Sequence, residues 1–167
     1  MDAREIAERL QAKFGGDSVT VTAPAVGDAA VVVKTALLLD VCRFLKSEPE
    51  LGFDYLRCVS GVDLKDRMES VYHLYSMKVG HGLVVKVVLD RAAPEVASVE
   101  SVWKSANWFE RESYDLLGIR YTGHPNLERV MMPRDWVGHP LRKDYVEAES
   151  YHGIPTSRPD PVGGKDA

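Results

Sequence analysis

Glu110, Arg111, Glu112 and Asp115 form the densest charge cluster in the chain. On a helix, Arg111 and Asp115 are neighbours at i,i+4 and Glu112 and Asp115 at i,i+3, so these residues meet on its surface. Two carboxylates held together can serve acid–base chemistry or bind a metal. The plainer reading is a helix side held by ion pairs and turned to solvent or to a partner. Trp108 shares the face of Glu112, so that face is not simply wet. An aromatic beside arginine and carboxylates is the composition of an interface edge.

His124 and His139 are the other metal-ligand types nearby, with Glu112 or Asp144 as oxygen donors. Ordinary zinc sites use tighter paired spacings, such as His-x-x-x-His or Cys-x-x-Cys, and neither occurs here. Each histidine precedes a proline, Pro125 or Pro140, and is expected to bond backbone groups at a turn or to touch a partner. Arg142-Lys143-Asp144 has the charges of an anion clamp, but two cations beside one acid fit an ion-pair anchor better. Gly80-His81-Gly82 lacks the third glycine and the following helix of a phosphate loop. No Gly-x-Ser-x-Gly elbow or Cys–His signature is present. The residues thus predict no catalytic, cofactor-binding or metal site in this chain.

These groups fall at the end of a folded domain and in the segment after it. Asp2 is a plausible N-cap, with Ile6, Ala7, Leu10 and Phe14 at helical spacing before Gly15-Gly16. Residues 18–23 alternate as a strand, Pro24 and Gly27 mark a loop, and 30–34 reads as a second strand. Leu37, Leu38, Val41, Cys42, Phe44 and Leu45 make an amphipathic helix closed by Pro49. Three strands come next. Residues 55–64 place Leu56, Cys58, Val62 and Leu64 on one face. Residues 70–79 place Val71, His73, Tyr75, Met77 and Val79 on one side. Residues 83–89 are apolar on both faces apart from Lys86, as a central strand is. Gly80-His81-Gly82 signals the hairpin between the last two, with His81 a turn residue. A helix is expected over Val96–Trp103 and another from Asn107, as N-cap, to Leu117. Gly118 suits the left-handed position after it, with Ile119 folding back on Tyr114. The order predicts an α+β fold: a two-layer sandwich of a mostly antiparallel sheet with helices on one face.

After Gly118 the character changes. The stretch 118–167 holds six of the nine prolines, with seven Lys/Arg against seven Asp/Glu. A neutral tail is neither a basic arm for nucleic acid nor an acidic one, and the net charge of −4 points the same way. The tail carries Tyr121, Trp136, Tyr145 and Tyr151 and several aliphatic residues, so it needs a surface to lie on. A long segment without secondary structure is usually functional or partner-bound. The chain is therefore divided into an α+β domain over 1–117 and an extended partner-binding strap over 118–167, with 159–167 frayed.

Cys42 and Cys58 read as thiols in a reducing compartment, and two cysteines cannot supply the four ligands of a common iron–sulfur cluster. No signal peptide is visible, and no apolar run approaches the ~20 residues that span a bilayer. A cytosolic protein, or one peripheral to a membrane on that side, is expected.

The run Glu110-Arg111-Glu112-Ser113-Tyr114-Asp115-Leu116-Leu117-Gly118-Ile119, then His124-Pro125, Leu127, Arg129 and Trp136, then Gly138-His139-Pro140-Leu141-Arg142-Lys143-Asp144-Tyr145, closely resembles one signature. It is that of the C-type or 30-kDa subunit family of the proton-translocating NADH–quinone oxidoreductase, respiratory complex I. The likeness is dense over 103–145. It implies a peripheral-arm subunit on the cytoplasmic side of the inner membrane, without a cofactor of its own. Iron–sulfur clusters, FMN and quinone would sit in partner subunits. It also implies an extended C-terminal segment wrapped along the D-type subunit, at the quinone pocket, with a B-type neighbour close by. Relatives also serve membrane-bound hydrogenases and deazaflavin-linked complexes. A free-standing metal-dependent enzyme using His124, His139 and Glu112 is the competing class. On the scaffold reading, Trp108, Glu110, Arg111, Glu112, Asp115, His124, Pro125, Arg129 and Trp136 face the partner, with Gly138, His139, Pro140, Leu141, Arg142, Lys143, Asp144 and Tyr145. Arg142, Lys143 and Asp144 form one anchor of the strap, and Glu110, Arg111, Glu112 and Asp115 a second.

Overall fold

Asp2 starts the first helix, α1 (Ala3–Phe14), through a reciprocal capping box. Its carboxylate accepts the amides of Arg4 and Glu5, and the Glu5 carboxylate accepts the Asp2 amide. Such a cap contributes about 1 kcal/mol to helix stability. The computed structural model describes residues 2–22 and 29–156. The loop expected at Pro24 and Gly27 and the fraying expected over 159–167 lie outside the described residues.

The main sheet contains β1 (Val19–Thr22), β2 (Ala30–Val33), β3 (Tyr55–Asp63), β4 (Arg67–Ser76) and β5 (His81–Asp90), in the order β1-β2-β5-β4-β3. All pairs are antiparallel except β2 with β5. β5 lies at the centre of the sheet, with Leu83, Val85, Val87 and Leu89 in the core and Val88 exposed on the opposite face. The helices α1, α2 (Leu38–Ser47) and α3 (Ala106–Leu117) bury their apolar sides against one face of the sheet. The two-layer α+β architecture is the one the element order predicts.

Register departs from the simple alternation. Leu56 pairs with Leu74 but Cys58 pairs with His73, so Arg57 is an extra residue in a β-bulge. A one-residue slip exchanges the faces of a strand. Val59 and Asp63 therefore join Leu56 on the helix side, while Cys58 and Val62 are only part-buried and Leu64 is exposed beyond the strand. On β4 the helix-covered row is Met68, Ser70, Tyr72, Leu74 and Ser76. Val71, in the other row, packs with Ala30 and Val84 in a small separate cluster, and Met77 and Val79 lie exposed in the turn. His81 opens β5 rather than sitting in the turn. Its Nε2 bonds the Leu51 carbonyl at 2.7 Å, and its ring stacks on Phe53.

The helix expected over Val96–Trp103 does not form. Glu95–Ala97 is a short strand, β6, parallel to β7 (Arg120–Thr122), and turns come after it. Tertiary pairing overrides weak helix propensity here, helped by the β-branched Val96. The α3 helix begins at Ala106, with Ser105 rather than Asn107 at the N-cap position. It crosses β3 where Gly61 leaves room: a Cβ there would come within 2.5 Å of Leu117 and 2.9 Å of Ile119. Beyond β7 the chain has no helix or strand until the two-residue strands β8 (Ser150–Tyr151) and β9 (Ile154–Pro155).

Candidate functional site

The last carbonyls of any helix lack partners within it and carry the negative end of its dipole. At the end of α3 those carbonyls are taken by the strap. His139 Nδ1 lies 2.9 Å from the Asp115 carbonyl oxygen, the Leu141 amide donates to Leu116 at 3.0 Å, and Arg142 Nε donates to Leu117 at 2.7 Å. A carbonyl only accepts, so His139 carries its proton on Nδ1 in this contact. Gly118 makes the turn possible. Its φ is +76°, and a Cβ there would sit 2.7 Å from both Arg142 and His139.

The Asp115 side chain, fully buried, is the hub beside this cap. One oxygen accepts the consecutive amides of Val130, Met131 and Met132 at 2.9, 2.8 and 2.9 Å. The other accepts Arg129 Nη1 at 2.6 Å, and the second amino group of Arg129 reaches the Gly138 carbonyl at 2.9 Å. Burial pushes the Asp115 carboxyl up, but the Met132 amide, the Arg129 guanidinium and the Met131 and Val130 amides outweigh it. The net shift is below the ordinary carboxylate value.

A second charge centre holds the far end of the strap. Arg91 binds Asp63 bidentately, at 2.8 and 2.9 Å, and reaches Asp144 at 2.7 Å. Asp63 also accepts the Lys143 amide at 2.9 Å. The Arg91 guanidinium chiefly, with the Lys143 and Lys65 amides, holds Asp63 far below the usual carboxylate range. Such charge-assisted bidentate pairs are the stronger class of hydrogen bond.

The predicted residues do not gather in one place. Arg129, Gly138, His139, Pro140, Arg142 and Asp115 meet at the end of α3, and Asp144 lies at the Arg91 centre. Glu110 is elsewhere: fully buried, it accepts Ser98 Oγ at 2.5 Å and the Val99 amide at 2.8 Å. Burial, outweighing those bonds, pushes its carboxyl up to about 7. The expectation that Glu110 and Asp115 anchor a partner is corrected by this geometry, because both carboxylates are enclosed and bonded within the chain. Trp108, with Arg111 over its ring, and Glu112 remain on the surface. Lys143 and Leu141 are also exposed, and Leu141 and Glu112 border a groove of about 230 Å³ between α3 and β3. Trp136 donates to Tyr145 Oη at 3.1 Å and packs on Tyr151, so these aromatics partly cover one another. His124, beside exposed Pro125, lies 3.2 Å from the Asn107 carbonyl through Nε2 and accepts the Asn126 amide on Nδ1. Burial foremost lowers the pKa of both His124 and His139. Among the described residues no group of three or more His, Cys, Asp and Glu side chains stands close enough to hold a metal ion.

Sequence reading missed Asp63, Arg91 and the Val130–Met132 amides. Lys143 lies 80 positions from Asp63, and no local pattern marks such a pair. Three successive amides leave no trace in side-chain type.

The sequence profile of the respiratory-chain NADH dehydrogenase 30-kDa subunit matches residues 31–151. The C-type subunit of NADH-quinone oxidoreductase from Roseiflexus sp. (strain RS-1) is 44% identical over 147 residues, covering 86% of this chain and 84% of that protein. The protein of the same name from Chlorobium phaeobacteroides is 45% identical over 118 residues, 69% of this chain and 71% of its own length. A solved structure of the trypsin-resistant fragment of Nqo5 superposes with a TM-score of 0.62 at 28% identity, covering 73% of this chain and 99% of the fragment. A chain of an archaeal membrane-bound sulfane sulfur reductase has the same fold, with a TM-score of 0.63 at 20% identity over 86% of this chain and 85% of its own. The chain belongs to the 30-kDa subunit family of the respiratory-chain NADH dehydrogenase, complex I. No helix among the described residues is long and apolar enough to cross a membrane.

Proposed function

We propose that this protein is a non-catalytic scaffold of the peripheral arm, holding the D-type subunit of the quinone site, with a B-type neighbour close by. Electron transfer from NADH through iron–sulfur clusters to quinone, coupled to proton translocation, then depends on partner groups whose geometry it keeps. The observation that carries this reading is the exposed surface of α3 and the strap. Met131, Val137 and Leu141 are exposed apolar side chains on a strap whose backbone is tied to the domain, and Trp108 is exposed on the first turn of α3. Contiguous exposed apolar side chains with a polar rim mark protein interaction sites. The cofactors belong to the partners, and the scaffold sits on the cytoplasmic side of the membrane without spanning it.

The test is affinity purification of the tagged chain from membranes in mild detergent. Iron–sulfur and membrane subunits are expected to co-purify, and Leu141→Asp to reduce their recovery several-fold. A chain that purifies alone, or with stoichiometric zinc or iron of its own, sinks the scaffold reading.

A further inference from the structure

We infer that the strap is clipped to its own domain before any partner binds, and that Asp115 and Asp63 are the two positioning residues that set its register. The first clip is specific to the residue. A buried carboxylate oxygen receives three consecutive amides, those of Val130, Met131 and Met132, and this requires one backbone conformation over that stretch. Converging backbone amides form an anion nest, and the anion here is supplied by the chain itself. Arg129 closes the other side of the same carboxylate and continues to the Gly138 carbonyl.

The second clip lies across the domain edge. Asp63 ends β3 and is 5% exposed. It accepts the Lys143 amide while Arg91 grips both Asp63 and Asp144. Between the clips, His139, Leu141 and Arg142 occupy the terminal carbonyls of α3. If the strap lifted, those carbonyls and the Asp115 carboxylate would lose their partners together, and Asp63 would lose the Lys143 amide while keeping Arg91 and the Lys65 amide. A buried carboxylate without partners is costly, so the strap and the helix end are held as one unit. A segment clipped in this way meets its partner already ordered and avoids the entropy of ordering on binding. That is the reverse of a tail that folds only on its neighbour.

The inference concerns the free chain, so it goes beyond the scaffold reading and can fail or succeed without it. The test is residue-resolved amide exchange by NMR on the purified full chain with no partner present. The amides of Val130, Met131, Met132, Leu141 and Lys143 are expected to exchange on the order of tenfold or more slowly than in an unstructured peptide. Asp115→Asn should lower protection at Val130–Met132, because an amide group cannot offer acceptors to both the nest and Arg129. Asp63→Asn should abolish it at Lys143 and leave Val130–Met132 slow. The amides of β4 and β5 in the same samples report whether the domain remains folded. If Asp115→Asn unfolds it, Arg129→Gln keeps the nest and should lower protection only in part. Fast exchange of the strap amides in the unmodified chain overturns the inference. So does unchanged protection in both folded clip variants.

Discussion

Glu110 and Asp115 lie five positions apart on one helix, and both are fully enclosed, yet they are opposite in character. Glu110 has a serine and one amide for partners and no cation, and burial pushes its carboxyl up to about 7. Asp115 has an arginine and three amides, which outweigh burial and hold its carboxyl below the ordinary value. Burial alone therefore does not set the protonation state of a buried acid; the number and charge of its donors do. One end of α3 serves the core, and the other serves the strap.

The sharpest way to break this contrast is Asp115→Asn. It removes one partner of a buried ion pair and turns an amide donor toward either the nest or Arg129. Such losses cost about 3–5 kcal/mol, to be read from urea unfolding of the isolated chain. A cost below about 1 kcal/mol would mean that water replaces the carboxylate and the hub is dispensable.

Next in size is the pH response of Glu110. Its folded pKa is raised to about 7 from an ordinary 4.5, so between those values the folded state binds more protons than the unfolded one. Stability from this group is full below about pH 4.5 and is lost as pH rises to about 7, by roughly 3 kcal/mol. Glu110→Gln should flatten that slope in unfolding measured at pH 5 and pH 8. Asp115 has the opposite sign: its stabilisation is present above the ordinary carboxylate range and is lost as pH falls through its lowered folded value. Overall stability should thus fall at high pH through Glu110, while amide protection at Val130–Met132 falls at low pH through Asp115. The same response at both ends would erase the distinction.

Gly118→Ala is a milder probe of the strap end. A left-handed φ of +76° costs a non-glycine residue about 1–2 kcal/mol, and the new methyl must also displace Arg142 or His139. A variant as stable as the parent would show that the cap tolerates rearrangement. The smallest effect on the fold is expected from Trp108→Ala, which removes a ring that is 65% exposed. Unfolding should shift by no more than about 0.5 kcal/mol, while recovery of the co-purifying partners falls. A large stability loss would move Trp108 from the interface into the structure.

What could be read along the chain was local. The Asp2 cap, the turn at Gly118 and the central position of residues 83–89 each depend on a few adjacent residues, and each is found where it was expected. The misreadings share a non-local cause. The bulge at Arg57 reverses the inward row of β3 only because β4 fixes the pairing on both sides of it. Val96 lies in a strand because Tyr121 pairs with it from beyond α3. Glu110 looked like a surface charge because its neighbours Arg111 and Glu112 are charged, and nothing adjacent shows that Ser98 and Val99 will enclose it.

By itself, then, the sequence determined the α+β class, the caps at Asp2 and Gly118, the central strand and, through the dense motif ahead of Tyr145, the family. These follow from periodicity, turn chemistry and short fixed spacings, all written in consecutive residues. Only the tertiary structure decided which acids are buried, which are ionised, and that the strap first grips its own domain. Those outcomes depend on the donors that converge on each carboxylate. Donors such as Arg91 at Asp63 and the Val130–Met132 amides at Asp115 come from distant parts of the chain and include backbone groups that every residue but proline possesses.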